Sequence, residues 1–257
     1  MIMKNNINLT KYGLLIILSI FAIKMNAADD RFEKANALYS EGKYPEAVEV
    51  YEEILKSGME APELYYNLGN AYYRSGYLPS AILNYERALL LAPQERDIRY
   101  NLELAYGQTS DKLGKVDEFF LARWFESLRS STDSDKWAII SVILFIFSLT
   151  VLFVYFFSQT TIIRKISFFF AILFVTGSFV TFSFSYNQKY RLINRNRAII
   201  FSPSVTVRSS PDRSGTELFV LHEGTRVEIL QTLGEWYEVE LDDGNKGWMP
   251  LASVEVI

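Results

Sequence analysis

Two stretches of this chain run without a charged residue for longer than an ordinary buried helix. Trp137–Phe157 is 21 residues long and Ile166–Phe184 is 19. A helix crosses the hydrocarbon core of a bilayer in about 20 residues, so each run is long enough to span. Twelve of the 19 Phe lie between Phe145 and Phe184, which is too Phe-rich for soluble core helices. Only Ser158–Lys165 separates the runs, so the pattern predicts a two-span hairpin over 137–157 and 166–186 with both flanks on one face. Neither run holds an Asp, Glu, Lys, Arg or His, which disfavours a proton path, an ion path or a transport site. The second run carries Ser167, Thr176, Gly177, Ser178, Thr181 and Ser183. Small and hydroxyl residues let helices approach closely in lipid. They mark either a helix–helix interface or a lipid-facing span with internally satisfied hydroxyls. Trp137, Tyr155 and Tyr186 near the run ends read as interfacial aromatics.

The rest of the chain divides by charge. Residues 1–28 carry a net +3, 29–118 a net −7, 119–199 a net +6 and 200–257 a net −6. Two acidic modules therefore flank a basic, apolar middle. The overall charge of −4 argues weakly against nucleic-acid binding. With no Cys and a single His, His222, the chain lacks disulfides, thiol chemistry and His-based metal ligation. No catalytic Ser/His/Asp, metal or phosphate-loop pattern occurs, so no enzyme activity, cofactor or metal is expected.

Lys4 and Lys11, the short apolar run Gly13–Ile23 and the small-residue end Asn26-Ala27-Ala28 predict a secretory signal peptide over 1–28. An uncleaved signal anchor is the alternative. Either exports the chain from residue 30 onward, placing both acidic modules outside and the 158–165 loop, with Arg164 and Lys165, in the cytoplasm. The flanks Arg123, Arg129 and Lys136, and Lys189, Arg191, Arg195 and Arg197, oppose this by the positive-inside rule.

Two stretches of the first module align at a spacing of 34 residues: Gly42 with Gly76, Pro45 with Pro79, Ala47 with Ala81, Tyr51 with Tyr85. Gly69 and Ala81 are small where antiparallel helices touch, Tyr72 and Tyr85 fill the space beside them, and Gly76 and Pro93 stop the helices. The pattern is similar to the tetratricopeptide repeat and predicts an all-α solenoid over 29–107. Tyr100, Asn101, Leu102 and Tyr106 begin a third unit that then fails, so 95–107 is a closing helix. Such stacks need about three repeats to bury a continuous core. This one requires support from the next segment, from self-association or from a partner. The resemblance implies a concave groove for a protein partner, lined by Phe32, Asn36, Tyr39, Tyr66, Asn67, Asn70, Tyr73, Arg74 and Asn101. Helix packing is the alternative role for any single Tyr. The family's carboxylate clamp is absent, because Phe32, Asp97 and Asn101 stand at its basic positions. A chaperone C-terminal tail is therefore not the expected ligand.

Residues 108–136 form a linker in which Phe120, Leu121, Trp124, Phe125 and Leu128 recur at helical spacing. This amphipathic helix either lies on the membrane or completes the repeat core. After a second linker, 187–197, residues 198–257 alternate apolar and polar with five or six short strands. Val207-Arg208-Ser209-Ser210-Pro211, Leu221–Thr225, Trp236-Tyr237 and Asp243-Gly244 before Gly247-Trp248 are similar to the bacterial Src-homology-3-type domain, a small all-β barrel. That resemblance implies a protein or cell-wall ligand, with Tyr237 and Trp248 as candidate groove residues. The alternative for Trp236 and Trp248 is barrel packing. His222 reads as a turn residue without partners.

Together these parts resemble the BatE-type family of the Bacteroides aerotolerance operon. The resemblance implies an inner-membrane protein associated with other Bat-type membrane proteins, some with von Willebrand factor A domains, and with a MoxR-type ATPase. The expected function is a membrane-anchored, non-enzymatic scaffold. The alternative is a cell-wall-binding protein in which the barrel holds peptidoglycan.

Overall fold

The computed structural model describes residues 30–111 and 120–257; the export signal expected over 1–28 lies outside the described residues. Among these residues are eight α-helices and a seven-stranded sheet. The repeat module comprises α1 over 30–40, α2 (Tyr44–Lys56), α3 (Pro62–Arg74), α4 (Leu78–Leu91) and α5 (Arg96–Gln108). Pro45, Pro62 and Pro79 sit in the first turns of α2, α3 and α4, where a missing N–H costs nothing. Gly76 ends α3 at φ +83°, and Tyr77 N–H reaches back to Tyr72 O at 3.0 Å, the hydrogen-bonded stop that glycine permits. Gly69 explains its own size: a Cβ there would sit 2.7 Å from the Tyr85 ring and 3.3 Å from Ala81 O.

α6 (Phe120–Arg129) leads into the apolar hairpin, α7 (Ser134–Phe157) and α8 (Thr161–Ile193). Their most apolar 18-residue windows have mean hydropathies of 2.8 and 2.0, yet only 11% and 22% of those windows is buried. A core helix of a soluble protein would be covered; these two present their apolar sides outward. They face each other through small polar groups. Ser141 and Ser178 exchange hydroxyl-to-carbonyl hydrogen bonds of 3.0 and 2.9 Å, and one turn pair deeper Ser148 donates to Ala171 O at 3.1 Å. Ser167, Ser178 and Thr181 are buried in the interface, whereas Thr176 and Ser183 face out. Both alternatives for the hydroxyls of the second span thus occur, divided by face. The reversal takes residues 158–160, which puts Arg164 and Lys165 inside the beginning of α8 rather than in a loop.

Trp137 is not an interfacial aromatic open to lipid. It is buried, with its indole N–H on Arg129 O at 2.9 Å and its ring on Phe184. That contact, together with Gln188 bonding to Thr132 O at 2.9 Å, fixes α6 beside α8. Glu126 pairs with Arg129 and with Arg191 at 3.2 Å. The apolar face of α6 does not complete the repeat core: no α6 residue is buried, and Phe120 and Trp124 are 62% and 57% exposed.

The C-terminal unit is antiparallel throughout: β1 (Arg197–Ile200), β2 (Ser204–Arg208), β3 (Glu217–His222), β4 (Arg226–Leu233), β5 (Trp236–Glu240), β6 (Lys246–Pro250) and β7 (Val254–Val256), in the order β3-β2-β6-β5-β4-β1-β7. The sheet curls around Val205, Val207, Val227, Val239 and Met249. β1 is buried on both sides, and strand alternation sorts its residues. Ala198 and Ile200 enter the barrel core, while Ile199 joins a different cluster with Ile257, Ala81, Ile82, Ile98 and Leu102 of the repeats.

The barrel therefore supplies the support that two and a half repeats require. Polar contacts lock this shared core. Glu86 of α4, its side chain 7% exposed, accepts from Arg226 at 3.0 Å and from the Tyr106 hydroxyl at 2.7 Å. Arg87 reaches Glu255 at 3.1 Å and Val256 O at 2.9 Å. His222 is not without partners: Asp111 accepts from its backbone N–H at 2.7 Å, contacts its Nδ1 at 2.8 Å, and accepts from Thr225 Oγ1 at 2.7 Å. Gly224 lets these surfaces meet, since a Cβ there would lie 2.8 Å from Thr109 and 3.2 Å from Ile82.

Glu86→Ala leaves Arg226 partly uncompensated in this junction and is expected to destabilise the detergent-solubilised chain by about 3 kcal/mol in chemical denaturation. Burial opposes ionisation of Asp111, but hydrogen bonds from the His222 side chain and backbone and from Thr225 outweigh it and hold the carboxyl below its usual range. Its stabilisation is therefore complete above the unfolded value of about 3.9 and is lost as pH falls through the folded value. Stability measured against pH is expected to drop on that acid limb, and Asp111→Asn to flatten it.

Candidate functional site

The expected groove residues come together on one side of the repeats, from α1 (Asn36, Tyr39), α3 (Tyr66, Asn67, Asn70, Tyr73, Arg74) and α5 (Asn101). They form two copies of one arrangement. In the first, Asn36 Oδ1 accepts from Tyr51 at 2.6 Å and from Asn67 at 3.0 Å. In the second, Asn70 Oδ1 accepts from Tyr85 at 2.7 Å and from Asn101 at 2.9 Å. Each residue of the second copy lies 34 positions after its counterpart in the first. The signal for the complete ladder was thus present in the spacing, and Tyr51 and Tyr85 belong to it as the buried donors that fix the amides.

The ladder decides what the groove offers. With their carbonyl oxygens occupied, Asn36 and Asn70 keep amide N–H donors for a ligand, while Asn67 keeps its carbonyl acceptor. A cavity of about 200 Å³ opens over Asn36, Tyr39, Ser40, Tyr51, Asn67 and Asn70. Burial pushes the Tyr51 hydroxyl up to about 12 and raises Tyr85 and Tyr39 as well, so these phenols stay neutral donors at ordinary pH. Arg74 is held over the Tyr44 ring, 5.0 Å from its centroid. Farther along, Asn101 also donates to the Tyr66 hydroxyl at 3.0 Å, and Gln108 donates to that of Tyr73. The surface is polar, aromatic and nearly uncharged. Paired donors and acceptors of this kind match the N–H and C=O groups of an extended peptide.

The barrel carries a larger cleft of about 930 Å³ between the start of β2, the 211–213 loop, the Gly234–Trp236 turn and Pro250–Ala252. Trp236 lines it; Tyr237 and Trp248 do not. Tyr237 shares the inward parity of Val239 and packs on the barrel core. Trp248 lies across from Arg208 and Glu238 on the outer face. The alternation that identified the strands also assigns these sides: Val239 points in, so Tyr237 shares its side and Trp236 opposes it.

Residues 203–255 match the bacterial SH3 domain. Residues 35–76 match a TPR repeat, and residues 62–95 match a tetratricopeptide repeat. No curated protein matches the chain. The tetratricopeptide match ends just before α5, the helix that closes the stack, and α5 nonetheless supplies Asn101 to the groove. The SH3 match spans β2 to β7 and omits β1, the strand that is buried against both bodies.

The two roles of the ladder separate by mutation. Asn70→Ala removes the acceptor of the Tyr85 hydroxyl in a side chain only 1% exposed, and is expected to cost about 1–3 kcal/mol of stability. Asn101→Ala leaves the Asn70–Tyr85 bond intact and is expected to cost less than half as much in the same thermal melts.

Proposed function

We propose that this chain is a non-enzymatic scaffold anchored in the bacterial inner membrane by α7 and α8, with repeats and barrel together in the periplasm. The groove of the repeats holds an extended segment of a protein partner. The observation that carries this reading is the repeated Asn–Tyr ladder. It spends one side of each amide on a buried phenol and leaves the other toward an open, neutral groove. Tetratricopeptide repeats suggest protein partners. The combination of repeats, apolar hairpin and terminal SH3 domain supports a BatE-type role, in which the partner is another Bat-type membrane protein of an aerotolerance complex. A second reading, peptidoglycan binding by the barrel, is favoured by the Trp236 cleft and by the bacterial SH3 match.

Photo-cross-linking in intact membranes distinguishes them. With a photoreactive residue at Tyr39 or Tyr73, the scaffold reading expects a discrete protein adduct that is lost on Asn67→Ala, a substitution that costs no more stability than Asn101→Ala. The cell-wall reading expects retention of the full chain on isolated peptidoglycan, abolished by Trp236→Ala. Absence of any groove adduct, with retention on peptidoglycan, overturns the scaffold in favour of the barrel.

A further inference from the structure

α8 does not stop where its apolar segment stops. It continues from Tyr186 to Ile193, a further ~10 Å at 1.5 Å per residue. With α7 and α8 crossing a bilayer, as the proposed function has it, that extension passes through the headgroup layer, which adds about 5–8 Å on each side of the hydrocarbon. At this height the extension, the adjoining Asn194–Asn196 turn and the beginning of β1 enclose a cavity of about 270 Å³ against Leu90 of α4 and Ile257.

Among the residues that line it, the cavity holds more guanidiniums than carboxylates. Arg191, Arg195 and Arg197 line it, against one carboxylate, Glu228, which accepts from Asn196 at 2.7 Å. Arg191 makes one contact with Glu126 at 3.2 Å, and Arg195 one with Glu60 at 3.4 Å. Arg197 has no ion-pair partner among the described residues. Each guanidinium has five N–H donors, so most of the donor capacity here has no protein acceptor. An uninterrupted aromatic stripe leads from the cavity down the helix. Tyr190, which lines the cavity, stacks on Tyr186 at 6.3 Å, and Tyr186 stacks on Phe182 at 6.4 Å. All three are more than half exposed, one turn apart, and descend into the apolar segment.

We propose that this cavity binds the phosphate of an anionic phospholipid, whose acyl chains lie along the Phe182–Tyr186–Tyr190 stripe. Three guanidiniums supply the charge and bidentate geometry that phosphate accepts. The stripe supplies what a free phosphate has no use for. The assignment also gives the basic flank a local purpose. On the proposed outer face, where Arg191, Arg195 and Arg197 run against the positive-inside rule, they furnish a site.

The test uses the full chain in mild detergent, with phosphatidylglycerol or phosphatidylcholine titrated in and bound lipid counted by native mass spectrometry. Phosphatidylglycerol is expected to remain bound at concentrations that leave phosphatidylcholine unbound. Arg197→Gln, which breaks no ion pair, is expected to weaken that binding about fivefold, and loss of all three Arg to abolish the preference. Lys189→Gln, outside the cavity, is expected to leave it unchanged. Equal retention of the two lipids, or an equal loss in Lys189→Gln, overturns the site. So does inorganic phosphate that displaces phosphatidylglycerol and raises the melting temperature as far. A chain that stays in membranes through an alkaline carbonate wash yet shows no lipid preference fails this proposal alone. A chain that washes out fails the spanning assignment on which it rests.

Discussion

Everything in this molecule depends on one shared core, in which Ile199 and Ile257 of the barrel complete the apolar cluster of α4 and α5. Two and a half repeats bury α1–α3 around Tyr51, Ile54, Leu64 and Leu68, but the outer side of α4 has no third repeat to cover it. The barrel covers it instead. That is possible because α7 and α8 form a hairpin: in the proposed spanning arrangement, an even number of crossings returns the chain to the face it left. A single span would have placed the barrel on the opposite side, leaving Ile82 and Leu102 open to solvent. The apolar hairpin is thus, beside its proposed role as an anchor, the connection that lets two distant sequence modules form one body.

Polar groups inside that junction give it specificity as much as stability. An apolar patch alone would accept several registers. Glu86, held by Tyr106 and Arg226, and Asp111, held by His222 and Thr225, accept one. A misdocked barrel would leave a buried carboxylate without donors, a cost of several kcal/mol per group. Arg226 is bound on its other side by Asp242 at 2.8 Å, which holds its guanidinium in place and reduces the ordering required when the bodies meet.

Local spacing made much of this fold legible in the sequence. The 34-residue offset of Gly42 and Gly76, the uncharged runs and the alternation after residue 198 each report a short-range geometry. Helices, hairpin and strands are direct consequences of that geometry. The docking of barrel on repeats was not legible, because it rests on pairs such as Asp111–His222 and Glu86–Arg226, separated by 111 and 140 positions. No periodicity connects such residues, and a lone His or a Glu in a repeat helix has many ordinary explanations. Trp137 shows the same limit: its position at a run end suggests an interface, but a carbonyl eight residues earlier decides its place. In the groove the residues were identifiable and their chemistry only partly so. Phe32, Asp97 and Asn101 show which clamp the groove lacks, whereas the offset from Asn36 to Asn70 and from Tyr51 to Tyr85 describes what it forms.

The junction at the base of α8 limits what such a scaffold can do. Gln188 bonds to the Arg129 and Thr132 carbonyls, Glu126 joins Arg191, and Arg195 joins Glu60 of the repeats. α8, α6 and the body of repeats and barrel are therefore fixed to one another instead of being joined by a loose tether. A flexible linker would let the groove sample a wide volume at low effective concentration. In the proposed scaffold a fixed mount gives up reach for orientation, holding the groove at a set height and angle above the bilayer. It favours a partner that is itself membrane-bound and presents its extended segment close to the surface. In the same proposal the open apolar face of α6, with Trp124 and Leu128 exposed, is a third point of attachment beside the two proposed spans. Three points define a plane, which is what a body needs if it is not to pivot about its anchor.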